Sequence, residues 1–354
     1  MKKNNPQLSL VMPALNESKI ILSNIYELKD WMAVNFPQIS FEIVVVNDGS
    51  TDNMGQILDK ECNKLSDLRV FHHVNNMGRG RAVRTAMENT ESDYLIVLDA
   101  DLSYGPEHIG PLLKPLMEGR ASLTLASAYH QDGHVENVPL IRAKLSSWGN
   151  KILSSSFSNN IKTATCIVRG YTRELINHLE LINNGKDFHL EVLYKTEVLG
   201  FSISEIPANL RWRNRNRGKR ENGNIFRNNP LYKMRASIVS HFLINFFLKP
   251  QILFAGPIVI LMLFILYGLG TLFYSLVIFY ISQDPTPLRS TLLGGQLTLV
   301  ITISSCILLI AFIFFFFLAT QVKKYFEELY IQAARTNYRL KNLEKNILKK
   351  VPRD

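Results

Sequence analysis

The chain has 354 residues, 47% of them hydrophobic and 20% charged, with a formal net charge of +10 and three cysteines. That length is enough for one large domain plus extras, and the scattered Cys62, Cys166 and Cys306 form no disulfide framework or metal spacing and fit a reducing compartment. Much of the basic excess lies between Arg211 and Lys249, directly before a long apolar run. That position favours anionic headgroups or a phosphate-bearing substrate at a membrane over nucleic acid.

In chain order, "LSLVMPA" predicts a strand, and a helix follows from about Glu17 to Asn35. "FEIVVVND" is a second strand, nearly continuous in apolar residues and so buried on both faces. "GSTDNMGQILDKECNKL" is a turn and then a helix, with Ser50 or Thr51 as its cap. "LRVFHH" gives a third strand and "GRGRAVRTAMEN" opens another helix. "DYLIVLD" is the fourth strand and "ASLTLASA" the fifth. This alternation predicts a doubly wound, mostly parallel α/β sheet, in which ligands bind outside the carboxyl ends of the strands. The polar clusters fall there: Pro13 to Glu17, Asn47 to Asp52, Asn75 to Arg81, and Asp99 to Asp101.

The fourth strand poses a question of charge. It reads as buried, yet it ends in Asp99 and Asp101, two carboxylates one residue apart. Such a pair is costly unless a metal ion, a basic side chain or solvent meets it.

Ile252 to Ile281 and Leu292 to Thr320 contain no Asp, Glu, Lys or Arg. Each exceeds the roughly 20 residues that cross a bilayer, so a two-helix transmembrane hairpin is expected. Lys249, Lys323 and Lys324 flank it, while the linker offers Arg289 against Asp284. The positive-inside tendency then places both termini in the cytoplasm, and "MKKNNPQLSLVMPA" lacks a signal-peptide apolar core. The expected divisions are a cytoplasmic domain over 1–228, an interfacial amphipathic helix over 229–250, two transmembrane helices over 251–320 and a helical tail over 321–354. In that tail Val322, Phe326, Leu329, Ala333, Thr336, Leu340, Leu343 and Ile347 form a heptad seam. It either joins chains into a homo-oligomer or packs on the chain's own domain.

"MPALNE", "VVVNDGSTDN", "NNMGRGRAV" and "VLDADLSYGPEHI", in this order, resemble glycosyltransferase family 2. With the apolar hairpin they resemble the branch that includes dolichol-phosphate mannose synthase and bacterial polyprenyl-phosphate glycosyltransferases. The resemblance implies a GT-A-like sheet and a metal-dependent transferase. Asp101 would bind Mg²⁺ or Mn²⁺, and Asp99 would contact the sugar or nucleotide beside it. Asp48 would meet the nucleobase, with Glu17, Pro13 and Ala14 around base and ribose. Gly78, Arg79 and Arg81 open a helix in a form suited to a phosphate. Arg215, in "RNRG", would match an Arg of a loop that closes over the diphosphate, with Arg213 and Arg217 as rivals.

On the acceptor side the resemblance implies Arg142 and Ser146, four apart on one helix face. Four positions depart from the family pattern. Ser103 stands where the branch often has Gln, and Ala128 stands where it has an Arg. Arg220-Glu221 replaces its Ser-Lys. His130, His134 and Lys144 are candidates to replace the Arg. Arg169 would form a wall of the sugar site, while His72, His73, His178, His189 and Glu191 read as structural.

The expected function is inverting transfer of one sugar from a UDP- or GDP-sugar to a polyprenyl phosphate at the cytoplasmic membrane face, with no nucleic acid involved. The competing readings are a transferase acting on another lipid or a growing glycan, and a non-catalytic nucleotide-sugar-binding membrane scaffold.

Overall fold

The computed structural model describes residues 5–136, 157, 161–185, 187–211, 250–282, 286 and 296–350. The chain forms two compact units, Met1–Arg220 with Tyr330–Asp354, and Glu221–Leu329.

The first unit is built on a seven-stranded sheet. Its elements run β1 (Leu8–Ala14), α1 (Ile21–Asn35), β2 (Phe41–Asn47), α2 (Met54–Cys62), β3 (Leu68–His72), α3 (Arg79–Asn89) and β4 (Tyr94–Val97). A 3-10 turn (Pro106–His108) leads to α4 (Ile109–Met117), β5 (Leu123–Ser127) and β6 (His134–Glu136). Then come β7 (Arg169–Thr172), α5 (Arg173–His178), α6 (Phe188–Val198), β8 (Ile203–Pro207) and β9 (Asn209–Arg211).

The strand order is β3-β2-β1-β4-β7-β5-β8, and β6 pairs separately with β9. All large-sheet pairs are parallel except those of β7, which is antiparallel to both β4 and β5. The expected mostly parallel sheet is therefore present, with one reversed strand. Val44, Val45 and Val46 of β2 are fully buried, the result of covering both sheet faces with helices. Ile21, Ile25, Leu28 and Met32 repeat at helical spacing on the buried side of α1.

Two boundaries differ from the sequence reading. α1 begins at Ile21 rather than near Glu17, whose carbonyl instead accepts the Ile20 and Ile21 amides in a preceding turn. Ser50 and Thr51 do not cap α2. Their amides donate to Asn47 Oδ1 (3.0 Å) and Asn16 Oδ1 (2.8 Å), and Asp52 Oδ1 accepts the Met54 amide at the helix start.

In the second unit α7 (Pro250–Ser282) and the first part of α8 (Gln296–Lys350) pack together. A Cβ on Gly268 would lie 1.8 Å from Thr302 Oγ1, so the missing side chain lets α8 approach. Phe254 meets Phe312 and Phe316 edge-on. Phe254–Ile281 and the apolar part of α8 are long and apolar enough to cross a membrane, and only 6% of either window is buried. Phe264, Leu266, Ile310 and Phe314 point outward, so these helices are not the core of a folded domain.

From Tyr330 onward α8 belongs to the first unit. Tyr338 stacks on His178 at 4.0 Å between ring centroids, and Ala334 is buried. The expected seam is not the face that docks. Val322, Phe326, Leu329, Leu340, Leu343 and Ile347 are all exposed.

Candidate active site

β1 lies between β2 and β4, and the chain's order of strands reverses there. A crevice opens at such a reversal, beyond the carboxyl ends of the strands. Pro13 and Ala14 end β1 beside Val46 and Asn47 of β2. Leu98 donates its amide to Val11 carbonyl (2.8 Å), which brings Asp99 to the same edge.

The loops at this edge are fixed by side chains. Asn16, at φ 56°, donates its amide to Ser50 Oγ (2.9 Å) and accepts from the Thr51 amide, joining the ends of β1 and β2. Buried Asn24 of α1 donates to the Ala100 carbonyl at 2.7 Å. That bond holds the turn between the two carboxylates. Asp101 is 7% exposed, and its Oδ1 accepts the Ser103 amide (3.1 Å) and the Ser103 hydroxyl. The Ser at this departure from the family pattern thus orients Asp101.

Asp48 is also buried. Its Oδ1 lies 2.7 Å from His73 Nδ1 and accepts the Met77 amide (2.9 Å), while Oδ2 accepts the Gly78 amide (2.9 Å). The carboxylate therefore shapes the turn that opens α3. A carboxylate has about four lone-pair positions, so one remains for a ligand donor. Gly78 adopts φ 98° and ψ 153° immediately before α3. Its Cβ would stand 2.4 Å from the Asn184 carbonyl oxygen, so glycine is required both by conformation and by space.

Arg79 Nη2 is 3.9 Å from Asp99 Oδ1. A cation at the helix start therefore faces the first carboxylate of the strand end. Arg81 is not brought there, because its guanidinium pairs with Glu88 at 2.9 Å. β9 returns to the same place: Arg211 donates its amide to the Ser103 carbonyl (2.9 Å), and Asn209 donates to His108 Nε2 (2.9 Å). The basic segment "RWRNRNRGKR" thus starts beside the Asp101 turn. Arg215, Arg213 and Arg217 lie outside the described residues, as do Arg142, Lys144, Ser146 and residues 229–249 of the expected interfacial helix, whose last residue, Pro250, instead begins α7.

Arg169 does not form a wall of a sugar site. It is 0% exposed, and its guanidinium donates to the carbonyls of Ala164, Cys166 and His189 at 2.7–2.8 Å. Burial lowers its pKa from the usual value, and three backbone acceptors occupy it as a brace between β7 and α6. Cys166 is pushed up to about 11, first by burial and then by the negative charge of Asp99, so it stays a neutral thiol. Ala128 is buried, and His130 Nδ1 lies 3.6 Å from Asp132.

The two carboxylates form a hard oxygen donor pair suited to a divalent cation such as Mg²⁺ or Mn²⁺. Among the described residues no three His, Cys, Asp or Glu side chains group as a metal cage. An ion on Asp99 and Asp101 would then complete its shell from phosphate oxygens and water, which is the usual arrangement for Mg²⁺ at a phosphate.

Asn16, Asn24 and His73 were not singled out for the site by the sequence. His73 had a signal, since it follows β3 at the carboxyl edge of the sheet. Asn24 had none, because only the packing of α1 brings it under the Asp99–Asp101 turn.

A switch-point crevice bearing two carboxylates, with a glycine-opened helix beside them, is the layout of a GT-A-like fold. Residues 9–180 form a domain that matches the family model described as glycosyl transferase family 2.

The chain is 24% identical over 204 residues to the glycosyltransferase AglD of Haloferax volcanii, covering 57% of this chain and 32% of that protein. It is 29% identical over 196 residues to the polyprenol monophosphomannose synthase of Mycolicibacterium smegmatis, covering 53% and 73%. The match to the first therefore spans about a third of that relative's length. Among solved structures, glucosyl-3-phosphoglycerate synthase from Mycobacterium tuberculosis in complex with UDP aligns with a TM-score of 0.46 at 20% identity, covering 68% of this chain and 80% of that one.

Proposed function

We propose that this glycosyltransferase moves a single sugar, with inversion, from a UDP- or GDP-sugar to a polyprenyl phosphate at the cytoplasmic face of a membrane. The observation that carries the reading is the Asp99–Asp101 pair at the switch point, with Arg79 3.9 Å from Asp99 and the Gly78 turn beside them. The relative named as a polyprenol monophosphomannose synthase supports the lipid phosphate, and the two apolar helices support a membrane anchor.

In this reading Pro13, Ala14, Glu17 and Asp48 receive the base and ribose. Gly78 and Arg79 lie along the diphosphate, Arg81 is held away by Glu88, and Arg215 closes over the diphosphate. Asp101, with Asp99, would hold Mg²⁺ or Mn²⁺, which would offset the charge of the departing diphosphate. Arg79 holds Asp99 and adds positive charge on the diphosphate side. Arg142 and Ser146 hold the acceptor phosphate in line. That phosphate already carries an anionic oxygen, so it needs positioning rather than a general base. Ala128, uncharged where the branch has an Arg, leaves the acceptor to a different cation and keeps another lipid as the second reading. The exposed stripe of α8 is the surface through which two chains would associate.

The test is incubation of membranes containing the protein with radiolabelled UDP- and GDP-sugars and polyprenyl phosphates. A labelled lipid that releases its sugar in mild acid is expected. Label appearing only in a polymer or an acid-stable lipid would overturn the acceptor.

A further inference from the structure

We infer that Tyr330 of the C-terminal helix is a positioning residue for the turn that opens α3, acting through the segment 180–185. The inference rests on the proposed donor role of that turn. The contacts form an unbroken series within the first compact unit.

The series starts on α8. The Glu180 amide donates to the Tyr330 hydroxyl at 3.2 Å, and Lys195 Nζ lies 4.9 Å from the centre of the Tyr330 ring. Lys341, further along α8, reaches the Glu180 carboxylate at 3.0 Å. Lys195 is buried on α6, donates to the Glu180 carbonyl and pairs with Glu191 at 2.6 Å. Glu191 then accepts the amides of Ile182 (2.9 Å) and Asn183 (2.8 Å). Burial alone would raise its carboxyl, but the Lys195 and amide donors together hold it below the usual range, so it stays charged.

The segment fixed in this way meets the donor side directly. The Asn184 carbonyl accepts the Gly80 amide at 2.7 Å and the Arg81 amide at 3.4 Å. Arg84 of α3 donates to the Leu181 carbonyl at 2.5 Å and also to the Asn184 side chain. Two free amides of the α3 start are thus capped by a carbonyl from outside the helix, since the helix itself cannot satisfy them. The Asn183 carbonyl oxygen lies 2.6 Å from where a Gly80 Cβ would be, so there is no slack between segment and turn. Any shift of 180–185 must move Gly78 to Arg81. α8 is one helix from Gln296 to Lys350, so the helix carrying an apolar span also supports the donor turn.

The experiment uses the full chain in detergent, comparing wild type with Tyr330→Ala, Tyr330→Phe and Arg339→Ala. Hydrogen exchange is followed in peptides covering 77–84 and 180–185, which needs no ligand. Tyr330→Ala should accelerate exchange in both by about fivefold, the loss expected for one net hydrogen bond. Tyr330→Phe keeps the ring over Lys195 and should release the Glu180 amide alone. Arg339→Ala, at an exposed position off both the docked face and the seam, should match wild type.

Affinity for Mg²⁺-UDP and Mg²⁺-GDP should weaken about three- to tenfold in Tyr330→Ala, for whichever nucleotide the wild type binds, given one hydrogen bond lost at a distance. In the transfer assay donor KM should rise with kcat unchanged. Wild-type exchange over 77–84 in a folded Tyr330→Ala protein would overturn the inference. If that variant does not fold, wild-type exchange at Glu180 in Tyr330→Phe would do so. Failure of the wild type to bind either nucleotide would instead defeat the donor reading, with the exchange result still deciding the role of Tyr330.

Discussion

Replacing Gly78 by alanine should loosen the turn that opens α3 and destabilise the whole first unit. Gly78 sits at φ 98° and ψ 153°, a region held almost only by glycine, and forcing another residue into it costs about 1–3 kcal/mol. The added Cβ would also lie 2.4 Å from the Asn184 oxygen and 3.0 Å from its carbonyl carbon. These are backbone atoms, so no side-chain rotation relieves the clash. The segment 180–185 has to withdraw, and the Asn184 bonds to Gly80 and Arg81 lengthen, at a further cost of about 1 kcal/mol. The sum is about 2–4 kcal/mol, which for a domain of this size lowers Tm by about 4–16 °C.

Gly119→Ala is the control. It also has a positive φ of 68°, but its Cβ would meet nothing within 4 Å, so only the smaller conformational cost of about 1 kcal/mol applies. Thermal unfolding of the full chain in detergent, with nucleotide affinity measured alongside, checks the pair. Equal Tm losses in the two variants, or wild-type nucleotide binding by Gly78→Ala, would refute the steric reasoning.

Asp101→Asn should remove sugar transfer while leaving the fold intact; full transfer by this variant and in EDTA would exclude a metal role for it. Arg142→Ala should lose about 1.5–3 kcal/mol of acceptor binding, the worth of a charge-assisted contact, raising acceptor KM with donor KM unchanged in steady-state kinetics. The stability of the first unit should fall as pH drops below about 6.5. His189 is buried with neither ring nitrogen hydrogen-bonded, and its pKa is held well below the ordinary value, first by burial and then by the positive Arg169 and Arg79. The unfolded chain therefore binds a proton there before the folded one does, and stability rises with pH until the unfolded imidazole is neutral. His189→Leu should flatten this part of the Tm-against-pH curve, and an unchanged slope would assign it to other groups.

The sequence by itself determined the sheet, the strand ends and the apolar spans. Period and run length are local properties, so "FEIVVVN" and the uncharged stretches of α7 and α8 could be placed without knowing their neighbours. The Asp99–Asp101 pair was equally legible, because a buried strand ending in two acids is unusual in any context.

What the tertiary structure decided were the partners. Arg169 resembled a site residue until packing surrounded its guanidinium with three backbone carbonyls. His73 was one of several histidines until the return of β3 set it against Asp48. The heptad seam of the tail was real as a pattern, yet the face that meets the domain carries Tyr330, Ala334, Tyr338 and Lys341. A repeat records which residues share a helix face; it holds no information about what the opposite face touches. That depends on contacts between residues about 150 positions apart, such as Glu180 with Tyr330. Such a pairing is fixed by the shape of the folded surface, and no short stretch of sequence encodes it.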